Sequence, residues 1–174
     1  KDKAASMERR QLAKTGMLRS AHMLGNEEEI IFTATDLLAD TKLAPELSNE
    51  AHYYRAKAYL DAGKTDGAME DLKILAKDTR NVYGAEAKYK VAQIYFDGGQ
   101  TDKAEQEVLN YIEVSTPHTY WLARSFVLLA DVYMKSGRNL DAKQYLLSLK
   151  QNYQADDDIA GMIESRLEKL KTEN

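Results

Sequence analysis

Residues 56–68 read AKAYLDAGKTDGA, residues 92–104 read AQIYFDGGQTDKA and residues 130–142 read ADVYMKSGRNLDA. One pattern runs through all three stretches: a small residue, a tyrosine, a glycine and an alanine at fixed intervals. It joins Ala56, Tyr59, Gly63 and Ala68, then Ala92, Tyr95, Gly99 and Ala104, then Ala130, Tyr133, Gly137 and Ala142. A weaker fourth copy surrounds Gly25, with Leu18, Ala21 and Ile30 in the other places. The four glycines lie 38, 36 and 38 residues apart, a period that marks stacked supersecondary units.

Each place in the pattern has a physical reason. A glycine ends one helix, because a left-handed backbone is cheap only without a Cβ. A short polar residue follows it, so Asn26, Thr65, Thr101 and Asn139 are expected as N-caps of the next helix. The small residues, such as Ala56 against Ala68, let two antiparallel helices approach closely. Tyr59, Tyr95 and Tyr133 are expected in the core, between each pair and its neighbour. The second helices carry apolar residues at helical spacing, as in Leu72, Leu75 and Ala76, or Leu146, Leu147 and Leu149. The chain of 174 residues has only two prolines and nine glycines, so little interrupts such helices.

These observations predict one all-α repeat domain over residues 1–174. Helix pairs are expected at about 4–40, 47–78, 82–114 and 118–153. Short loops at Leu43–Glu46 and Ser115–His118 hold Pro45 and Pro117, where a missing N–H costs least. A last helix is expected at about 157–171, with Ile159, Met162, Ile163, Leu167 and Leu170 on one face. It starts after Asp156, Asp157 and Asp158 and ends with Lys169 and Lys171, which suits the helix dipole. It reads as a cap over an otherwise exposed terminal face. Lys1 to Leu12 reads as the front of the first helix. Because the sequence opens at Lys1 without an initiator methionine, it is taken as a piece of a longer protein.

Several functions are disfavoured. The formal charge is −4 with acids and bases interleaved, and no basic stripe offers itself to phosphates, so no nucleic acid is expected. Cysteine is absent, which removes disulfides, thiolate zinc sites and cysteine nucleophiles. No apolar run approaches the roughly 20 residues of a membrane span. His22, His52 and His118 show no ligand spacing and read as surface or groove residues. Asp156 to Asp158 lack the glycine turn and spaced glutamate of a calcium loop and read as helix capping. Glu27, Glu28 and Glu29 fall in a first helical turn, and Gly98-Gly99 is a turn. No serine elbow, phosphate loop or dinucleotide fingerprint occurs. No enzyme activity, metal or cofactor is expected.

In the small, tyrosine, glycine and alanine positions, residues 11 to 154 resemble the tetratricopeptide repeat (TPR) family, whose unit is a helix-turn-helix of about 34 residues. The resemblance implies a right-handed superhelical solenoid of about four hairpins plus the capping helix. The sequence departs from the family where His52, Lys88 and Phe126 replace an early tryptophan, and the terminal proline is mostly absent. Its units are also longer by about two to four residues. Tyr53-Tyr54 before Ala56 is similar to bacterial cell-envelope members. That favours a periplasmic or outer-membrane location over a cytoplasmic one and leaves the compartment open.

The resemblance further implies a non-catalytic scaffold that binds a peptide or protein segment in its concave groove. Carried over by register, the groove takes Arg19 and His22, then Tyr53, Lys57 and Leu60, then Tyr89, Gln93 and Phe96, then Asp131 and Met134. Thr15, Met23, Asp61, Asp97, Val127 and Lys135 stand beside them. Leu60, Phe96 and Met134 have a second reading, as ordinary core between units. Tyr53 and Tyr89 occupy the place where members that clamp a chaperone's terminal carboxylates carry lysine, so that clamp is not implied. Trp121 reads either as a staple at a helix entry or as an exposed anchor. The alternative function is a structural spacer or self-association module within a larger envelope protein.

Overall fold

The computed structural model describes residues 2–172, with side chains described from residue 5 onward. Every regular element among the described residues is an α-helix: α1 (Asp2–Leu24), α2 (Glu27–Leu38), α3 (Pro45–Asp61), α4 (Thr65–Leu75), α5 (Val82–Asp97), α6 (Thr101–Glu113), α7 (Thr119–Lys135), α8 (Asn139–Asn152) and α9 (Ile159–Thr172). Lys1, part of the expected front of the first helix, lies outside the described residues. The all-α class is therefore observed. None of these helices is long and apolar enough to cross a membrane, and no cluster of potential metal ligands occurs among the described residues.

The chain forms two compact units that divide between Lys77 and Asp78. In the first, α2 packs against α1 and α3, α3 packs against α4, and α1 touches α3. Its core gathers Leu18, Ala21, Ile30, Ala34, Leu37, Ala51 and Ala58. In the second, α5 to α9 pack consecutively, and the alternate helices α5, α7 and α9 lie side by side. Its core runs through Tyr89, Val108, Leu128, Leu129, Val132 and Leu146 to Ile159 and Ile163.

The repeat pattern maps directly onto the hairpins. Gly25, Gly63, Gly99 and Gly137 all adopt left-handed backbone, with φ of 64°, 70°, 74° and 73°. Each glycine N–H donates to the carbonyl of His22, Leu60, Phe96 or Met134. The next N–H donates to Ala21, Tyr59, Tyr95 or Tyr133 at 2.7–3.1 Å. This is the paired bond set of a Schellman ending. The small residues around the bend are buried as expected: Ala56 with Ala68, Ala92 with Ala104, Ala130 with Ala142. In the first hairpin the larger residue, Leu18, takes the place of the alanine and the smaller, Ala21, that of the tyrosine, and both are buried.

A Cβ on any of these four glycines would meet nothing within 4 Å, so backbone conformation rather than space demands glycine. Gly99→Ala is expected to cost about 1–2 kcal/mol in thermal melts, the penalty of a left-handed alanine. Gly99→Asn should cost less, since asparagine visits that region more readily. Equal losses for the two variants would remove the backbone explanation.

Two expectations need correction. Only Asn26 is an N-cap among the four polar residues named, accepting the Glu29 N–H at 3.1 Å. Thr65, Thr101 and Asn139 are the first helical residues, and Lys64, Gln100 and Arg138 are the caps, without side-chain bonds. The reason is economy of chain. The residue directly after each glycine closes the old helix through its N–H and opens the new one through its carbonyl, which accepts from Ile30, Ala68, Ala104 or Ala142. The second correction concerns the tyrosines. Tyr133 is buried, but Tyr59 and Tyr95 are half-buried. Tyr133 is covered by Tyr145 at 5.6 Å and by the Arg138 guanidinium at 4.0 Å.

At the chain's far end α9 buries Ile159, Ile163 and Leu170, while Met162 and Leu167 lie against the same core. The Asp157 carboxylate accepts the Ile159 N–H, and the Asp158 carbonyl accepts that of Met162. The acidic run thus caps the helix.

Candidate protein-binding surface

Within each unit the first helices of the hairpins form one layer, and the side chains implied for the groove sit on or under it. On α1 and α3, His22 stacks on Tyr54 with ring centroids 4.2 Å apart, and Tyr54 touches Tyr53. The Lys57 ammonium lies over the Tyr53 ring at 5.5 Å. Leu60 is half-buried, and Met23 and Asp61 are exposed. Arg19 reaches across to Glu50 in a two-bond fork, at 2.6 and 2.7 Å. This surface is aromatic, half-wet and rimmed by cations.

On α5, α7 and α9 the arrangement centres on a residue that the register did not single out. Arg124 projects from α7 toward α5. It donates to the Tyr120 and Tyr89 hydroxyls, both at 3.1 Å, and to Asp158 at 3.2 Å. The Tyr89 hydroxyl donates onward to Gln93, whose amide donates to Asp97, each at 2.8 Å. Trp121 packs on Tyr89 and edge-on to Tyr120. Burial opposes the charge of Arg124, but the two phenols outweigh it and hold its pKa above the ordinary value. Its Nε is buried without a hydrogen-bond partner. Beside this group, burial and the Asp157 carboxylate push the Tyr153 phenol up to about 12. Farther along, Phe96 and Met134 are half-buried against the core, with the Lys135 ammonium 4.9 Å from the Phe96 ring.

Some groove positions prove to be internal. Tyr89 is only 5% exposed, because Trp121 covers its ring and its hydroxyl is engaged. Thr15 and Val127 are buried. Asp131 is tied by two bonds to Arg166 of α9, at 2.7 and 2.6 Å. Arg19 with Glu50 and Asp131 with Arg166 occupy equivalent places and differ only in which side carries which charge. They lash one first helix to the next. Arg124 stands where Glu50 stands in its own hairpin, but the place filled elsewhere by Arg19 and Asp131 is the neutral Gln93 in the preceding one, so no charge pair in the sequence pointed to it.

The residues that stand where the resemblance expects a tryptophan share one role. His52 bonds Asp71 at 2.7 Å, Lys88 bonds Glu107 at 2.9 Å, and Phe126 meets Tyr145 at 6.0 Å between ring centroids. One register position therefore ties the two helices of its hairpin with an imidazole, an ammonium or an aromatic ring. His52, read from spacing alone as a surface or groove residue, belongs to this buried tie. Asp71 is 1% exposed and also takes two bonds from Arg55, at 2.7 and 2.8 Å. Burial raises the pKa of its carboxyl, but Arg55 and His52 outweigh that and hold it below the ordinary carboxylate value. Trp121 acts as neither of its two sequence readings alone: it is half-buried and bridges α7 to α5.

The geometry agrees with known proteins. A family model described as tetratricopeptide repeat matches residues 50–78, which hold α3 and α4 from Glu50 onward. No curated protein matches the chain. Among solved structures, the chain is similar to nearly identical TPR-like repeats described as those of a Podosopora anserina kinesin light chain. The TM-score is 0.56 at 16% identity, and 94% of each chain is covered. A single-substitution variant of those repeats gives a TM-score of 0.58 at 16% identity, covering 94% of this chain and 93% of that one. At such identity the likeness concerns the fold. The chain thus has the TPR-like helical-repeat fold, and its residues 50–78 match the tetratricopeptide repeat itself.

Proposed function

We propose that this chain is a non-catalytic scaffold that holds a peptide or protein segment on the first-helix layer of its hairpins. TPR-like folds generally serve protein–protein interaction, and the named residues refine that to a surface. The observation that carries the reading is the half-buried group of Arg124, Tyr120 and Trp121, which lies over the internal Tyr89 ring. Arginine and aromatic residues gathered in a half-buried patch are the usual anchors of recognition. Farther along the same layer, Phe96 and Met134 supply adaptable apolar contact. In the unit ending at Lys77, Tyr53, His22 and Lys57 offer the same combination of ring and cation.

Immobilised chain, capture from a lysate and identification by mass spectrometry test this reading. Changing Tyr53, Phe96 and Met134 to alanine together should remove the specific partner while leaving the helical circular dichroism intact. Capture of the same partner in the same amount by the triple variant would end the claim for this surface. The resemblance to envelope-associated bacterial members supports a periplasmic or outer-membrane setting. A signal sequence with a lipid-accepting cysteine in the full reading frame is the expected finding, and confinement of the full protein to the cytosol would refute it.

A further inference from the structure

Ala13, Met17, Ser20 and Leu24 follow one another along α1 at intervals of four, three and four residues, the spacing at which one helix meets another lengthwise. All four are exposed, Met17 at 54% and Leu24 at 82%. With Gly16 they line one trough that ends against Asn26 and Glu29. Exposed bulk set between small residues on a regular seam is a packing surface.

The order of these residues selects what packs there. Large and small alternate, so the stripe fits a second copy of itself turned end for end. With a two-fold axis midway along the seam, Ala13 of each copy faces Leu24 of the other, and Met17 faces Ser20. Every layer then pairs one large side chain with one small one, which fills a seam without voids. Gly16 beside it has no Cβ and lets the two backbones come close. The charges obey the same two-fold. Arg9 and Arg10 are exposed one turn before Ala13, and Glu27, Glu28 and Glu29 are exposed just past Leu24. An antiparallel copy brings the arginines of each chain to the glutamates of the other, at both ends of the seam.

The later hairpins lack this self-matching. On α3 and α7 the same face is covered by the chain's own preceding helices, α2 and α6. The four places read Ala51, Arg55, Ala58 and Ala62 in one hairpin, and Ser125, Leu129, Val132 and Ser136 in the other. Turned upon themselves, they would set Ala51 on Ala62 and Ser125 on Ser136, small on small, with Leu129 on Val132 between. In place of Arg9 and Arg10 they hold Leu47 and Ser48, or Trp121 and Leu122. A face that receives a preceding helix thus needs neither the alternation nor the opposed charges. α1 has both.

We infer that the Ala13–Leu24 stripe is the seam of a homodimer, in which the α1 helices of two copies pack antiparallel about a two-fold axis. The seam is separate from the first-helix surface proposed above and does not depend on it. One helix pair is a small interface, so the dimer should dissociate on dilution.

Sedimentation equilibrium over a range of concentrations should show monomer and dimer in an equilibrium that salt shifts toward monomer. Gly16→Arg should weaken the dimer at least about tenfold. A Cβ at Gly16 meets nothing within 4 Å, and arginine is a better helix former than glycine, so this variant keeps its fold. Arg9→Glu with Arg10→Glu should weaken the dimer too, and so should Glu27→Arg with Glu28→Arg, because each sets like charges together at both ends. An equimolar mixture of these two double variants should dimerise again, since opposite charges then meet at both ends. A variant that had merely lost its fold could not be rescued in this way. A native chain that stays monomeric up to its solubility limit overturns the inference and leaves the face to a different chain. A dimer that Gly16→Arg does not weaken, or charge variants that mixing does not rescue, overturn it as well.

Discussion

Asp71→Ala is expected to destabilise the unit ending at Lys77 by about 3–5 kcal/mol, the range for removing one partner of a buried ion pair. Asp71 sits on α4 and gathers Arg55 and His52 from α3, while Arg55 also donates to Thr35 of α2 at 3.0 Å. Three helices thus meet through one carboxylate. Its removal leaves the Arg55 guanidinium, in a half-buried place, without the carboxylate that accepts two of its bonds, and the His52 imidazole without its partner. Arg55 keeps its bond to Thr35 and some access to water, which draws the expected loss toward the lower end. Asp71→Asn should lose less, because one acceptor remains. Urea melts followed by far-ultraviolet circular dichroism give the measurement. Asp78→Ala is the comparison: that carboxylate pairs with Arg80 in the open, and the change should be too small to resolve.

The pH dependence has a definite sign. The native carboxyl of Asp71 titrates below the ordinary value of 3.8, so the native state favours the ionised form. Its contribution is fully present above that ordinary value and fades as pH falls toward the depressed native one. The difference between the native chain and Asp71→Asn should therefore be constant at neutral and mildly acid pH and shrink below about 3.8. A difference that grows on acidification would contradict the assigned pairing.

What was legible in the sequence was whatever repeats locally. The glycine bends, the buried alanine pairs and the apolar face of α9 are set by neighbours within a few residues, so spacing exposes them. The N-cap positions slipped by one in three hairpins because a single residue serves both helices, which composition preferences do not reveal. The site was less legible. Register placed His22, Tyr53, Lys57, Leu60, Gln93, Phe96 and Met134 on the first-helix layer, but it could not tell an open side chain from one engaged across helices. Tyr89, Arg19 and Asp131 are engaged by Arg124, Glu50 and Arg166, each more than thirty residues away. Asp71 was invisible for the same reason: its partners stand 16 and 19 residues back on another helix. Only aligning the hairpins shows that Asp71, Glu107 and Tyr145 share one place.

Replacing Ile159 and Ile163 together by alanine is expected to cost roughly 4 kcal/mol or more, since a buried isoleucine truncated to alanine loses about 2–5 kcal/mol. Ile159 is 0% and Ile163 2% exposed, so both contribute their full side chains to the core. Among the described helices α9 touches only α7 and α8, and it has no helix on its outer side. Its position therefore rests on this single apolar face. The bonds from Arg166 to Asp131 join partly exposed groups and are worth little by comparison. A loss of this size is a large share of the stability of a small domain, about 5–15 kcal/mol in total, so α9 should detach before the rest of its unit melts. Release would free Asp158 from Arg124 and change the surroundings of Trp121, the sole tryptophan. Tryptophan fluorescence during denaturation thus reads the detachment, and circular dichroism reads the remaining helices. Arg166→Ala should shift neither curve by much. If Arg166→Ala loosens α9 while the double isoleucine variant melts like the native chain, the ion pair and not the apolar face holds the helix, and its role as a hydrophobic cap fails.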